Sequence, residues 1–176
     1  SRGRRALPSS VIGGVANREV PELYFAQALS IEEAQLTKVA ARGGCLDEEK
    51  YFDMMQPEVE YKRMATLGIT TDFPETLEAL YKDVQYHWQY DEWASSAWQA
   101  TNGCGQGSAA TMLCALTGAA VRHLRLWRRA PHVHVAVVVD DESFATTQLH
   151  VDEYRTTLVE EEREASLTGT KLSFKK

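Results

Sequence analysis

A cysteine stands between glycines in the stretch NGCGQGSAATMLCAL, which runs from Asn102 to Leu116. Cys104 comes just before an apolar helical stripe, whereas Cys114 lies within that stripe, as a packing residue would. Backbone N–H groups and the positive dipole end at the start of a helix lower the pKa of a thiol and favour the thiolate. The neighbouring glycines leave room for a substrate carbonyl, and the N–H of Cys104 could bind the oxyanion that forms. The pattern predicts Cys104 as a nucleophile.

A nucleophilic cysteine needs a base and a group that orients the base. His132 and His134 share one face of a predicted strand, because side chains alternate along a strand, and His150 and Asp152 share a face of the next. A hairpin folded about residues 140–143 brings Asp152 close to either His132 or His134. We predict His132 as the base, since it lies at the open end of the strand. His134 is the alternative base, deeper in the valine run, where an imidazolium is costly to desolvate.

Two other interpretations of these residues stay open. A cysteine beside glycines can be purely structural, and His-x-His on a strand can be a half-exposed sheet face. The two histidines could also bind zinc, with His150, His123 or Asp152 as a third ligand, although no spacing here is diagnostic of a metal site. The leading prediction is a mechanism that uses neither a metal nor a cofactor.

Taken in order, these motifs resemble the transglutaminase-like superfamily of papain-like cysteine enzymes. Its members carry Gly-Cys, small residues, an apolar helix closing with Leu-x-Gly, a short strand with Arg, a His-Val-x-Val strand and a strand ending in Asp. The matching positions are Gly103-Cys104, Ser108-Ala109-Ala110, Leu116-Thr117-Gly118, Arg122, His132-Val133-His134-Val135 and Asp152. No acidic residues follow the cysteine and the step to the first histidine is short for that superfamily, so a divergent member is predicted.

The resemblance implies acyl transfer on a peptide or protein amide through a cysteine thioester. Cys104 would attack, His132 would move the proton and Asp152 would orient the imidazole, with Gln99 or Trp98 as a further oxyanion donor. Water as acceptor gives a peptidase or deamidase, which we predict because nothing marks an amine-binding site. Transglutaminase-type cross-linking is one alternative, and a non-enzymatic interaction module on the same scaffold is another.

The candidate residues must be positioned by helices and strands, and the sequence pattern predicts helices in the first half of the chain and strands in the second. A capping pattern at Ser30 predicts one helix, Pro57 divides the next region, and Asp72 caps a third helix. The helix after Cys104 is expected to end at Gly118, with the stretch AAVRHLRLW as a strand and residues 165–176 as an edge strand.

The predicted fold is α+β, with a papain-like core whose nucleophile-bearing helix packs against a small antiparallel sheet. The expected divisions are a basic flexible arm over residues 1–10, an N-terminal helical region over 11–70 and a transglutaminase-like catalytic core over 71–176.

The composition of the chain limits which partners and which cellular compartment are expected. The net charge of −6 argues against a nucleic-acid partner, and no apolar run is long enough to predict a membrane partner. Three cysteines are an odd number, and Cys104 and Cys114 are too far apart along one helix to form a disulfide. With no signal-peptide pattern, these features predict a cytoplasmic or other intracellular, reducing location. They leave the oligomeric state open. The expected partner, a protein or peptide substrate, is what the resemblance implies.

Overall fold

An antiparallel sheet packed against helices forms the body of the protein, which confirms the α+β class. The structure, a computed structural model, describes residues 11, 19–100, 102–105, 108–139 and 141–174. The predicted basic arm over residues 1–10 lies outside the described residues.

Six α-helices are present in the described ranges. They are α1 (Val20–Thr37), α2 (Tyr51–Met54), α3 (Pro57–Thr66), α4 (Asp72–Lys82), α5 (Ala109–Arg129) and α6 (Val151–Thr168). Helices α3 and α4 begin at Pro57 and Asp72, where the sequence indicates them, but the prediction that Asp72 caps α4 is wrong. The cap position is Thr71, and no side chain makes a capping hydrogen bond at the start of either helix. Ser30, in contrast, does not start a helix: it lies inside α1, and its hydroxyl donates to the carbonyl of Ala26.

The strands of the described chain form one sheet of four and a separate hairpin. They are β1 (Ala41–Glu49), β2 (Gln89–Tyr90), β3 (Trp93–Ala94), β4 (His134–Val138), β5 (Asp141–Thr147) and β6 (Lys171–Phe174). The order in the sheet is β4–β5–β1–β6, every neighbouring pair is antiparallel, and β2 pairs with β3. The β4–β5 hairpin and the edge strand β6 are therefore present, but with other bounds than predicted. Residues 141–143, predicted in the turn, belong to β5, and residues 165–168, predicted in the edge strand, belong to α6.

The central strand β1 changes the expected division of the chain. It belongs to the segment predicted as an N-terminal helical region, yet it pairs with β5 on one side and β6 on the other. Because the sheet needs residues 41–49 between two C-terminal strands, the chain does not divide near residue 70 in the described structure.

Helix α5 runs through the middle of the molecule for 21 residues. Ser108 caps it by accepting the N–H of Ala110 at 3.3 Å. The prediction that this helix ends at Gly118 and is followed by a strand is wrong. Ala119, Arg122 and Leu126 are all buried, and their spacing is that of a helix face.

The two faces of the sheet have different surroundings. Leu46, Glu48, Glu142 and Phe144 are buried on the face that α5 and α6 cover, where an apolar core includes Leu126. The opposite face looks toward α1, from which Gln27 donates a hydrogen bond to Ser143. A groove of about 700 Å³ runs between α1 and this second face, which we call the open face. None of the helices in the described ranges is long and apolar enough to cross a bilayer.

Candidate active site

Two aspartates lie directly opposite each other on neighbouring strands of the sheet. Asp47 of β1 is the register partner of Asp141 of β5. The next residues along these strands, Glu48 and Glu142, are buried on the face that the helices cover. Because side chains alternate along a strand, Asp47 and Asp141 belong to the open face. Directly opposite residues of an antiparallel pair have Cα atoms only about 4.5–5.5 Å apart, so the two carboxylates are neighbours.

A tight turn leads into Asp141. Val138 pairs with Asp141, so only residues 139 and 140 connect β4 to β5. Val139 has φ 61°, the left-handed region that a β-branched residue rarely adopts. Strained backbone of this kind persists only where the surroundings enforce it, and it clusters at functional sites. Asp140, which precedes Asp141 in the sequence, lies outside the described residues.

A buried arginine lies behind the aspartate pair, on the other face of the sheet. The guanidinium of Arg122, from α5, contacts Glu48 of β1, approaches Glu142 of β5 at 3.0 Å and lies 3.6 Å from Glu161 of α6. Burial raises the pKa of Glu142 well above its ordinary value, although Arg122 opposes the shift. The arginine thus links the two strands at the residues next to Asp47 and Asp141.

Two neighbouring carboxylates offer hard oxygen ligands, the kind that Mg²⁺ and Mn²⁺ prefer. The donor set of Asp47 and Asp141 therefore fits divalent ions of the magnesium class. Sites of this composition serve phosphatases, nucleases and polymerases.

The predicted nucleophile lies elsewhere, in a helical core. Cys104 is only 5% exposed and packs in a cluster that includes Tyr51, Met55 and Cys114. Its backbone N–H, expected to bind an oxyanion, donates to the carbonyl of Phe52 at 3.0 Å. Cys104 precedes α5, and the chain there brings its sulfur into hydrogen-bond contact with Cys114. That bond lowers the pKa of Cys104 and raises that of Cys114. Cys104 and Cys114 are both free cysteines, but the predicted reason is wrong, because Cys104 precedes the helix and does not lie on it.

Helix α5 separates Cys104 from the predicted base. Cys104 precedes the helix and His132 follows it, and 21 helical residues span about 30 Å. Nδ1 of His132 lies 2.7 Å from Oε1 of Glu153, a residue of the first turn of α6. The structure therefore brings His132 to Glu153 and not to Cys104.

The other predicted site residues are also dispersed. Asp152 is exposed on α6 and pairs with Arg155 at 3.1 Å. His134 starts β4 on the open face, as the partner of Ala145. Gln99 donates to the carbonyl of Lys82, and Trp98 stacks on Tyr86 with 5.1 Å between ring centroids. His150 and Asp152 do not share a strand, because the chain turns into a short 3₁₀ helix and α6 after Thr147.

Sequence reasoning missed Asp47 and Asp141. A usable signal is present in VAVVVDDES, in which a run of valines ends in two acids at a turn. The signal for Asp47 is weaker, because the surrounding stretch LDEEKYFDMM is typical of the start of a helix until the strand pairing of β1 is known.

Comparisons with known proteins bear on the fold. No protein-family model matches the sequence, and no curated protein matches it. A telomerase from Candida tropicalis in complex with a TWJ fragment of telomeric RNA matches 93% of this chain with a TM-score of 0.70 and 10% sequence identity. An apo telomerase from the same organism, truncated from the C-terminal domain, matches 95% with a TM-score of 0.63 and 11% identity. The matched region is only 29% and 36% of those chains. This chain therefore has the fold of a part of telomerase.

These neighbours correct one prediction from composition. The expectation that the chain has no nucleic-acid partner is wrong, because its structural neighbours are telomerase chains, one of them solved with telomeric RNA. A net charge of −6 is a sum over the whole chain. Such a sum does not describe the charge of any single surface. Acidic side chains that bind a metal ion make the net charge more negative, but they do not repel a nucleic acid once the metal is bound.

Proposed function

We propose that this chain is the metal-dependent nucleotidyl-transfer core of a nucleic-acid polymerase, with a partner that includes RNA. The carrying observation is that Asp47 and Asp141 face each other across paired strands in a fold shared with telomerase. Phosphoryl chemistry on paired carboxylates also includes hydrolysis and strand cleavage. The shared fold favours nucleotide addition among these reactions.

The chain's own residues contribute mainly by positioning. Asp47 and Asp141 would hold the divalent ions, which when bound stabilise the attacking and leaving oxygens of an in-line displacement. The tight turn at Val139 and the buried Arg122 behind the sheet fix the two strands. The carboxylates are thereby preorganised, which spares the reaction the cost of ordering them.

The test combines metal binding with strand extension. Wild-type chain, Asp47→Asn and Asp141→Asn are titrated with Mn²⁺ by electron paramagnetic resonance, and each is given a primer annealed to an RNA template with labelled nucleoside triphosphates. Asp152→Asn is the matched control, because Asp152 is 88% exposed on α6 and outside the pair. We expect the two site variants to lose Mn²⁺ binding and to reduce extension by at least about 100-fold, since the metals supply several kcal/mol of transition-state stabilisation.

Three outcomes would overturn the proposal. The first is extension that survives either site substitution, and the second is a number of bound Mn²⁺ ions that neither substitution lowers. The third is a wild-type chain that adds no nucleotide to any template.

Acyl transfer by Cys104 on a papain-like core stays a separate prediction. The described geometry gives it little support, because all five histidines are described and none of them contributes to the shifted pKa of Cys104. An activity-based thiol probe tests it directly, since an activated Cys104 would label faster than the exposed Cys45.

A further inference from the structure

Two histidines and a glutamate meet at the far end of the sheet from the aspartate pair. His132 lies between α5 and β4, His150 ends the 3₁₀ turn, and Glu153 is in the first turn of α6. Strand β5 runs seven residues from Asp141 to Thr147, about 20 Å, so this cluster is separate from the candidate active site. His132 and His150 also line one end of the groove beneath α1.

The three side chains converge on one point. The imidazoles are stacked, with centroids 4.1 Å apart and planes inclined by 9°. Oε1 of Glu153 lies 2.7 Å from Nδ1 of His132 and 3.4 Å from Nδ1 of His150. One ligand atom from each residue lies within 4.8 Å of the other two.

A further hydrogen bond fixes the carboxylate. Oε2 of Glu153 accepts the backbone N–H of His132 at 2.9 Å, which leaves Oε1 directed at both rings. An outer hydrogen bond that orients a ligating group in this way is a regular feature of metal sites.

Two imidazoles and a carboxylate form a ligand set that suits zinc and related ions rather than Mg²⁺. With metal–ligand bonds near 2.1 Å, the ligand atoms of a tetrahedral ion lie about 3.4 Å apart. His150 Nδ1 already lies 3.4 Å from Oε1 of Glu153, whereas His132 Nδ1, at 2.7 Å, would have to move away by about 0.7 Å to admit an ion. The side chain of His132 is 58% exposed, so it has freedom to rotate and leaves room for a solvent ligand.

We propose that His132, His150 and Glu153 bind one divalent transition-metal ion of the zinc class. The bound ion would join the loop after α5 to the start of α6, and so hold one end of the groove in a fixed shape. A histidine–glutamate hydrogen-bonded cluster without metal is the competing explanation. The second imidazole favours the metal site, because Nδ1 of His150 lies 3.4 Å from the same oxygen, which is the spacing of two ligands on one tetrahedral ion and long for a hydrogen bond. This proposal does not depend on the proposed polymerase activity.

The test is a titration of tag-free chain with Co²⁺, followed by displacement with Zn²⁺. Millimolar Mg²⁺ is present throughout, so that carboxylate sites are occupied. We expect one equivalent of Co²⁺ with the strong visible absorption of a site with fewer than six ligands, and stoichiometric displacement by Zn²⁺. His132→Ala, His150→Ala and Glu153→Gln should each weaken Zn²⁺ binding by at least about tenfold, the lower bound for disturbing even an outer-shell group.

His134→Ala and His87→Ala are the controls, because both histidines are exposed and outside the cluster. Circular dichroism confirms that each variant is folded, and Glu153→Gln is the mildest change if an alanine variant is not. Zn²⁺ affinity that is unchanged in a folded Glu153→Gln or His150→Ala variant would overturn the proposal. So would a wild-type chain that binds no Co²⁺ under these conditions.

Discussion

Replacing Arg122 by methionine should be among the most damaging single changes in this chain. Arg122 is 4% exposed and contacts Glu48, Glu142 and Glu161, which are also buried. Methionine keeps most of the side-chain volume but removes the cation. Three carboxylates from β1, β5 and α6 are then left together without their shared partner.

The expected loss follows from the cost of an unpaired buried charge. Removing one partner of a buried ion pair destabilises proteins by about 3–5 kcal/mol. With a urea dependence of about 2 kcal/mol per molar, the unfolding midpoint should fall by about 2 M. A domain of this size has a total stability of about 5–15 kcal/mol, so the variant should be folded but fragile.

The loss of stability should depend on pH, and the direction of this dependence tests whether unpaired buried carboxylates cause the loss. Burial raises the pKa of Glu142, and Arg122 lowers it, so the substitution should raise it further. A carboxyl whose pKa is higher in the folded state binds its proton more tightly there, and it therefore favours folding at low pH and costs stability as the pH rises. The deficit of Arg122→Met should accordingly shrink as the pH falls from 7 toward about 5, above the unfolded glutamate pKa near 4.3.

Urea unfolding at both pH values, followed by circular dichroism, measures both effects. Arg128→Met on the same helix is the control, since Arg128 is exposed, and it should change stability by no more than about 0.5 kcal/mol. If Arg122→Met unfolds at the same urea concentration as Arg128→Met at pH 7, the buried network does not stabilise the sheet and the reasoning fails.

Three further predictions concern the region around Cys104. Alkylation at neutral pH, followed by mass spectrometry, should modify the exposed Cys45 well before the buried Cys104, and the reverse order would restore the cysteine as a reactive centre. Gly103→Ala should lower the stability by about 1–3 kcal/mol, because φ is +93° and the new Cβ would lie 3.0 Å from the carbonyl of Asp53. Gly68→Ala is the control, because Gly68 also has a positive φ but a Cβ there would have no neighbour within 4 Å. Thermal unfolding of the two variants therefore separates the clash at Gly103 from the backbone strain, and equal losses of stability would contradict the clash. Ser108→Ala should cost about 1 kcal/mol through loss of the α5 cap, and an unchanged melting temperature would show that the cap contributes nothing.

Sequence patterns predicted the elements that are specified by residues close together in the chain. The valine run and the acidic turn after it identified the β4–β5 hairpin, and the proline and aspartate at the starts of α3 and α4 identified those helices. Gly118 misled the prediction for α5. A glycine inside a helix costs only about 1 kcal/mol, and here a Cβ would lie 3.1 Å from Arg63 and 3.2 Å from Glu60, so the glycine allows α3 to pack closely.

The candidate site was out of reach for a different reason. Asp47 and Asp141 are far apart in the sequence, and only the register of β1 against β5 brings them together. The composition of β1, ARGGCLDEE, is rich in glycine and acids that are uncommon in strands, so its pairing is decided by tertiary contacts. Glu153 was likewise missed, although His150 was among the possible zinc ligands, because the turn from β5 into α6 has no strong sequence mark.

The place of β1 at the centre of the sheet has a consequence for how the chain folds. Leu46 pairs with Phe174, so β1 must wait until β6 has been synthesised, more than 120 residues later in the chain, before its second edge is covered. Contacts between such distant segments slow folding, because loop closure must precede the gain from pairing. During translation, Asp47 would be synthesised long before Asp141, and no partial chain that stops short of β5 could assemble the pair. The capacity to bind the proposed metal should therefore arise only after the hairpin that carries Asp141 has been made and has joined β1.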